Sequence, residues 1–127
     1  MLNSILNTAN IEGVFNDLQT SLTSNTTTTY LTRDLSITKS ADKILWADDY
    51  LTYTINIENT SETHAFENIV LNDIIDPTIA TLVAESVRLN GNTIPYTFNA
   101  LNGELTVDVG TITANNTGII TFQITKI

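Results

Sequence analysis

The chain has 127 residues, with 14 acidic and 5 basic side chains and a formal net charge of −9. So few Lys and Arg cannot form a basic patch, which argues against nucleic acid or an anionic membrane surface as a partner. The sequence has no Cys, so disulfides, thiol catalysis and thiolate metal sites are excluded together. The length is that of one domain, and no apolar run is long enough to insert into a membrane. Residues 1–20 lack the basic start and apolar core of a secretory signal, so we expect unconventional export or a signal already removed.

The first segment fits two patterns. The helical alternative places Ile11, Val14, Phe15, Leu18 and Leu22 on one face. The strand alternative places Ile5, Ala9, Ile11, Gly13 and Phe15 on one face. We favour the strand, because Asn, Thr and Gly interrupt the helical window and no capping signal precedes it. Residues 16–25 are predicted to form a loop, and the β-branched run from Thr26 to Thr32 is predicted to be extended.

A strict two-residue period marks the stretch from Asp34 to Thr60, which predicts two half-buried strands. The first strand carries Leu35, Ile37 and Ala41 on one face. The second carries Leu51, Tyr53, Ile55 and Ile57. Asp48 and Asp49 supply the turn between them, and Trp46 is the large aromatic expected to pack at that end.

Five further strands are predicted, two of them, Glu85 to Leu89 and Ile94 to Phe98, on either side of Asn90-Gly91-Asn92. Phe66–Ile74 is expected near a sheet edge and ends at Asp76-Pro77. Asn90-Gly91 predicts a tight hairpin, since both residues tolerate positive φ. The remaining two strands carry Leu105, Val107 and Val109, and then Ile120, Phe122 and Ile124. The sequence therefore predicts an all-β protein, an antiparallel immunoglobulin-like sandwich at residues 34–127 with an extended N-terminal arm at residues 1–33.

Four segments of the chain resemble one family in order and spacing. They are DLSITKSAD, DYLTYTINIENT, FENIVLNDIIDP and GTITANNTGIITFQI. The stretch 34–124 resembles the repeat of bacterial and archaeal surface proteins known as domain of unknown function eleven. That resemblance implies an immunoglobulin-like sandwich, a cell-surface setting, frequent tandem arrays and no enzymatic activity.

The N-terminal segments NSILNTANIEGVF and SNTTTTYLTRDL are similar to the tail of such a repeat. In tandem arrays this tail follows the ITFQIT strand, whereas here it precedes the sandwich, as in a circular permutation. We therefore expect the strands missing from one copy to be carried by another copy. The alternative is an arm that folds back onto its own domain or is a disordered terminus.

These observations predict a structural subunit of an extracellular or spore-surface filament, which polymerises by donating its N-terminal strands to another copy. The predicted donor residues are Ile5, Ala9, Ile11, Val14, Phe15 and Tyr30. The predicted acceptor groove consists of Ile120, Phe122 and Ile124. The partner is the protein itself, and no cofactor is expected. The alternative function is a monomeric cell-surface adhesive or ligand-binding module.

No catalytic constellation is present, so an enzyme is the least expected class. Asp48, Asp49, Asp73 and Asp76 are weak candidates for Ca²⁺ ligands, but no dense D-x-D-x-D-G spacing supports them. Lys39 and Asp73 raise the hypothesis of an intramolecular amide crosslink, which would require both to be buried beside a further acid.

Overall fold

A computed structural model describes residues 3–31, 34–47 and 49–127. Contacts divide the chain into two units, one within residues 2–33 and the other from Asp34 to Ile127. The part of the chain that the structure describes consists of strands, turns and loops, without helix. No membrane-spanning helix is therefore found among these residues.

The N-terminal unit is one long two-stranded hairpin. Its strands are β1 (Asn3–Asn7), β2 (Asn10–Phe15), β3 (Leu18–Thr23) and β4 (Thr27–Leu31). β2 pairs antiparallel with β3, and β1 with β4. Between the two halves, the Ser24 backbone N–H donates to the Ala9 carbonyl at 2.7 Å, and the Ala9 N–H donates to Ser24 Oγ at 2.9 Å. These bonds join the two halves into one ribbon.

The strand interpretation of the first segment is confirmed, and so is the extended run before residue 32. The loop predicted for residues 16–25 is wrong, because only Asn16 and Asp17 form the turn. Both have positive φ, 50° and 62°. Two consecutive positive φ values match the twist of a two-residue hairpin, so the chain reverses at once and β3 can pair with β2.

The second unit is a sandwich of two antiparallel sheets. The first contains β5 (Leu35–Ala41), β6 (Leu51–Asn59), β8 (Ala80–Leu82), β9 (Arg88–Leu89), β10 (Asn92–Thr93) and β13 (Asn116–Lys126). The second contains β7 (Phe66–Ile74), β11 (Tyr96–Asn99) and β12 (Glu104–Ile112). Their orders are β10-β9-β13-β6-β5, with β8 also on β13, and β11-β12-β7.

Alternate side chains of the strands point inward and form the core between the sheets. The inward residues are Leu51, Ile55 and Ile57 of β6, Ile69 and Leu71 of β7, Leu105, Val107 and Val109 of β12, and Ile120, Phe122 and Ile124 of β13. Tyr53 and Trp46 pack against this core while remaining partly exposed. The predicted two-residue period is confirmed in β6, β12 and β13, but β5 is wrongly predicted as half-buried, because it is exposed along almost its whole length. The tight turn at Asn90-Gly91 is confirmed, although the strands on either side of it are only two residues long and β11 pairs with β12 instead.

The two ends of the sandwich are called proximal and distal here. At the proximal end, where β5 begins, the Thr60 N–H donates to the Asp34 carbonyl at 2.8 Å, and the Asn115 N–H donates to the Ser61 carbonyl at 2.9 Å. At the distal end lie the loop residues 42–47 and 49–50, the segment 75–79 and the turn at residues 99–103. β5 and β7 both run from the proximal to the distal end.

Candidate functional site

An open groove lies between β5 and β7. Among the described strands, β5 pairs only with β6 and β7 only with β12, so each has one free edge. The groove between them has a volume of about 290 Å³ and is lined by Leu35, Ser36, Ile37, Ile57, Phe66, Ile69, Val70 and Leu71. A free strand edge offers unpaired backbone N–H and C=O groups.

The groove is apolar and accessible. None of its lining residues is charged. The Ile37 side chain on β5 is 62% exposed and that of Val70 on β7 is 56% exposed. Ile57, Ile69 and Leu71 form its buried floor. This combination of apolar floor and free edges suits an added β-strand, because main-chain bonds can form at the edge while side chains enter the groove.

The N-terminal hairpin carries apolar side chains that its own unit does not cover. In the β2–β3 register Ile11 lies opposite Leu22 and Gly13 opposite Thr20, so these four residues share one face. Glu12, Val14 and Gln19 belong to the opposite face. Ile11 is 66% exposed and Leu22 is 59% exposed. One face is thus an apolar surface available for packing.

The predicted donor residues all belong to this hairpin. The side chains of Ile5, Ala9, Ile11 and Val14 are exposed. Val14 lies on the face opposite to Ile11, because adjacent residues of a strand point to opposite sides. Phe15 and Tyr30 belong to β2 and β4, and their side chains lie outside the described part of the chain.

The residues predicted for the acceptor groove lie elsewhere. Ile120 and Phe122 are 0% exposed and Ile124 is 4% exposed. β13 pairs with β6 along one edge and with β8 and β9 along the other. These side chains are already packed in the core, and β13 is a central strand, so it has no free edge at these residues for an added strand. The prediction that Phe66–Ile74 lies near a sheet edge is confirmed, because β7 is the last strand of its sheet. The run Ile69-Val70-Leu71 was the signal for it, since three apolar residues in succession place one of them outside the core.

Lys39 and Asp73 meet across the two sheets. Lys39 Nζ lies 2.6 Å from Asp73 Oδ2 and 4.3 Å from the centroid of the Tyr53 ring. The Asp73 side chain is 9% exposed, whereas that of Lys39 is 41% exposed. Among the described residues, no second carboxylate hydrogen-bonds to either side chain. The geometry is that of a salt bridge joining β5 to β7 near the distal end.

The acidic candidates for a cation site have other partners. Asp49 Oδ1 accepts a bond from Lys43 Nζ at 2.5 Å. Asp76 accepts bonds from the Thr78 hydroxyl at 2.7 Å and the Thr78 N–H at 2.9 Å, and these two bonds, the hydroxyl first, lower the pKa of Asp76. Asp48 lies outside the described residues. No three His, Asp or Glu side chains converge in the part of the chain that the structure covers.

Comparison of the chain with protein families, with curated proteins and with solved structures found no significant match.

Proposed function

We propose that this protein is a structural subunit that polymerises head to tail, with the N-terminal hairpin of one copy filling the groove between β5 and β7 of the next. The observation that carries the proposal is the presence, in one chain, of an apolar groove bounded by two free strand edges and an exposed hairpin with an apolar face. The hairpin of one copy could add a strand to the free edge in the groove of another, and its apolar side chains could enter that groove.

Strand direction supports a particular orientation of the donated hairpin. Every strand pair within the sandwich is antiparallel. β13 ends at the distal end, where it pairs with β8 and with the start of β6. A strand that follows β13 in the sandwich therefore begins at the distal end. In this orientation β1 and β2 run from distal to proximal, antiparallel to β7. The turn at Asn16-Asp17 then lies toward the proximal end, and β4 returns to the distal end.

The short connection after β4 makes this orientation possible only between copies. β4 ends at Leu31 and β5 begins at Leu35, so the two Cα atoms are at most about 14 Å apart. The nine residues of β7 span about 30 Å from the proximal to the distal end. A hairpin that follows β7 along its whole length, and whose β4 ends at the distal end, therefore cannot come from the copy whose β5 begins at the proximal end of the same groove. At the distal end this hairpin would displace the salt bridge between Lys39 and Asp73.

The pairing within the chain is consistent with donation. Within the hairpin β4 pairs with β1, and within the sandwich β5 and β7 each keep one free edge among the described strands. Because each copy has one hairpin and one groove, repeated donation is heterologous and generates an open polymer.

Burial supplies the driving force. If about five apolar side chains of the hairpin become buried, at roughly 1.5 to 3 kcal/mol each, the gross gain is on the order of 10 kcal/mol before ordering costs. Backbone bonds along β7 add to this gain. The filament setting, extracellular or on a spore surface, rests on the resemblance to surface-protein repeats. A monomeric surface module is the outcome that the following experiment would support if polymers are absent.

The test is a charge placed on one face of the hairpin. Ile11→Asp puts a carboxylate on the face proposed to enter the groove, and Gln19→Asp puts the same group on the opposite face. A buried charge without a partner costs several kcal/mol. We expect Ile11→Asp to raise the critical concentration for polymerisation more than about tenfold, corresponding to at least about 1.4 kcal/mol.

Sedimentation and negative-stain microscopy provide the measurement, and Gln19→Asp is expected to assemble like the parent chain. Equal assembly by both variants, or a parent chain that remains monomeric at high concentration, would contradict the proposal.

A further inference from the structure

Large apolar side chains are exposed at the distal end of the sandwich. Four of them form what is called here the distal cap: Ile44, Leu45, Ile79 and Leu101. Their exposed fractions are 101%, 88%, 58% and 92%. Ile44 and Leu45 lie in the loop between β5 and β6, and Leu101 lies in the turn between β11 and β12. Concentrated exposure of this kind is typical of an interaction surface rather than of scattered surface residues.

Contacts place the cap residues at one end. The Ile79 carbonyl accepts a bond from the Ile127 N–H at 3.1 Å, next to the end of β13. The Ile75 N–H donates to the Gly103 carbonyl at 2.9 Å, beside the turn that carries Leu101. Trp46, next to Leu45 in sequence, lines a cavity together with Ile79 and Ile124. The loops at the proximal end carry polar side chains instead of large apolar ones. These are Thr60, Ser61, Glu62, Thr63, His64 and Asn115.

We propose that the distal cap is a second contact surface of the filament, covered by the proximal end of the copy that donates its hairpin. This inference rests on the proposed function. A donated hairpin leaves the groove at the distal end of the acceptor, where β4 ends. Since Leu31 and Leu35 are at most about 14 Å apart, the donor's β5, and with it the donor's proximal end, begins beside the acceptor's cap.

The hairpin tip adds apolar cover to this contact. From Asn3 to Phe15 the hairpin is about 40 Å long, whereas β7 spans about 30 Å. A hairpin whose open end lies at the distal end therefore extends past the proximal end by about 10 Å. Its tip carries Leu18, which is 68% exposed and lies on the same face as Ile11. Within a filament, the proximal end of this acceptor faces the cap of the copy to which the acceptor donates its own hairpin. The tip that extends past the proximal end therefore reaches that cap.

Crosslinking between the two ends tests the contact directly. The chain has no Cys, so introduced thiols react without competition. Leu45→Cys lies in the cap, and Glu62→Cys lies in an exposed proximal loop. Polymers of the double variant, treated with a short bifunctional maleimide, should give a ladder of covalent oligomers on a denaturing gel. Each single variant should give none, because cap does not meet cap in a head-to-tail filament.

Covalent dimers from Leu45→Cys alone, or filaments of the double variant that yield no ladder, would overturn the inference while leaving hairpin donation standing. A parent chain that does not polymerise would overturn both. The two failures are therefore distinguishable in one set of samples.

A second variant keeps the test independent of thiol geometry. Ile44→Asp combined with Leu45→Asp should raise the critical concentration at least about tenfold. Ile119→Asp is the matched control, since Ile119 is exposed on the outer face of β13 and does not belong to the cap. An unchanged critical concentration in the cap variant, alongside loss of assembly in Ile11→Asp, would show that the cap is not covered.

Discussion

At the scale of single residues, Asn59 is a buried polar side chain whose hydrogen-bonding groups must find partners within the sandwich. It is 2% exposed and lies at the end of β6. Its Nδ2 group donates to the carbonyls of His64 at 2.9 Å and Ile112 at 3.1 Å, and its Oδ1 accepts from the Ser61 N–H at 3.1 Å. One side chain therefore joins the loop after β6 to the end of β12 and closes the proximal end.

Removing this side chain should destabilise the sandwich. Asn59→Ala leaves buried backbone groups without partners, and each such group costs about 1 to 3 kcal/mol. We expect the free energy of unfolding, measured in urea, to fall by about 3 kcal/mol. Asn56→Ala is the control, because Asn56 is on the exposed face of the same strand and should change stability by less than about 0.5 kcal/mol. Equal losses in both variants would mean that the Asn59 bonds contribute little.

At the scale of elements, the turn between β11 and β12 depends on a glycine. Gly103 has φ +75°, and a Cβ at this position would lie 1.7 Å from the Ile75 carbonyl oxygen. Its N–H donates to the Asn99 carbonyl at 2.8 Å, and its carbonyl accepts from the Ile75 N–H. The turn thus approaches the chain that leaves β7 too closely for any side chain.

Gly103→Ala should therefore be costly for two reasons, the positive φ and the clash. Gly110→Ala isolates the first, because Gly110 has φ +82° and no neighbouring atom lies within 4 Å of the position that a Cβ would take. We expect a loss of about 1 kcal/mol for Gly110→Ala and more than about 3 kcal/mol for Gly103→Ala in thermal or urea unfolding. Similar losses would indicate that the distal turn can shift to accept a methyl group.

The strands of the sandwich could be predicted from sequence, whereas the groove could not. β6, β12 and β13 alternate so regularly that their inward residues follow from period alone. The run Ile69-Val70-Leu71 indicated an edge position for β7, but period does not show that β5 has a free edge next to it, since that depends on pairing between distant segments. Ile120 and Phe122 therefore looked like any other apolar face, although they lie on a central strand. The turn at Asn16-Asp17 was missed because it contains neither Gly nor Pro.

At the scale of the whole molecule, the order of segments decides between assembly and closure. A permuted chain that starts at Asp34, runs to Ile127 and continues into residues 2–31 would place the hairpin directly after β13. The hairpin then enters the groove of its own copy from the distal end, with an effective concentration set by a very short link. We expect a soluble monomer at concentrations at which the parent chain polymerises, measured by sedimentation.

This permuted chain also distinguishes donation from folding back. A hairpin that folded back in the parent chain would require β4 to end at the proximal end, and the permuted chain could not reproduce that arrangement. An unfolded permuted chain in circular dichroism, or one that still polymerises at low concentration, would contradict the assignment of the hairpin to the groove.

The presence of one hairpin and one groove in each chain would give a head-to-tail polymer two chemically different tips. One terminal copy has an empty groove and the other has a free hairpin, so growth at the two tips proceeds by different encounters. A copy that lacks the hairpin still has a groove to receive one, yet it offers nothing to the next copy. We expect such a copy to stop filament growth, so that the ratio of shortened to full-length chains would set the mean filament length.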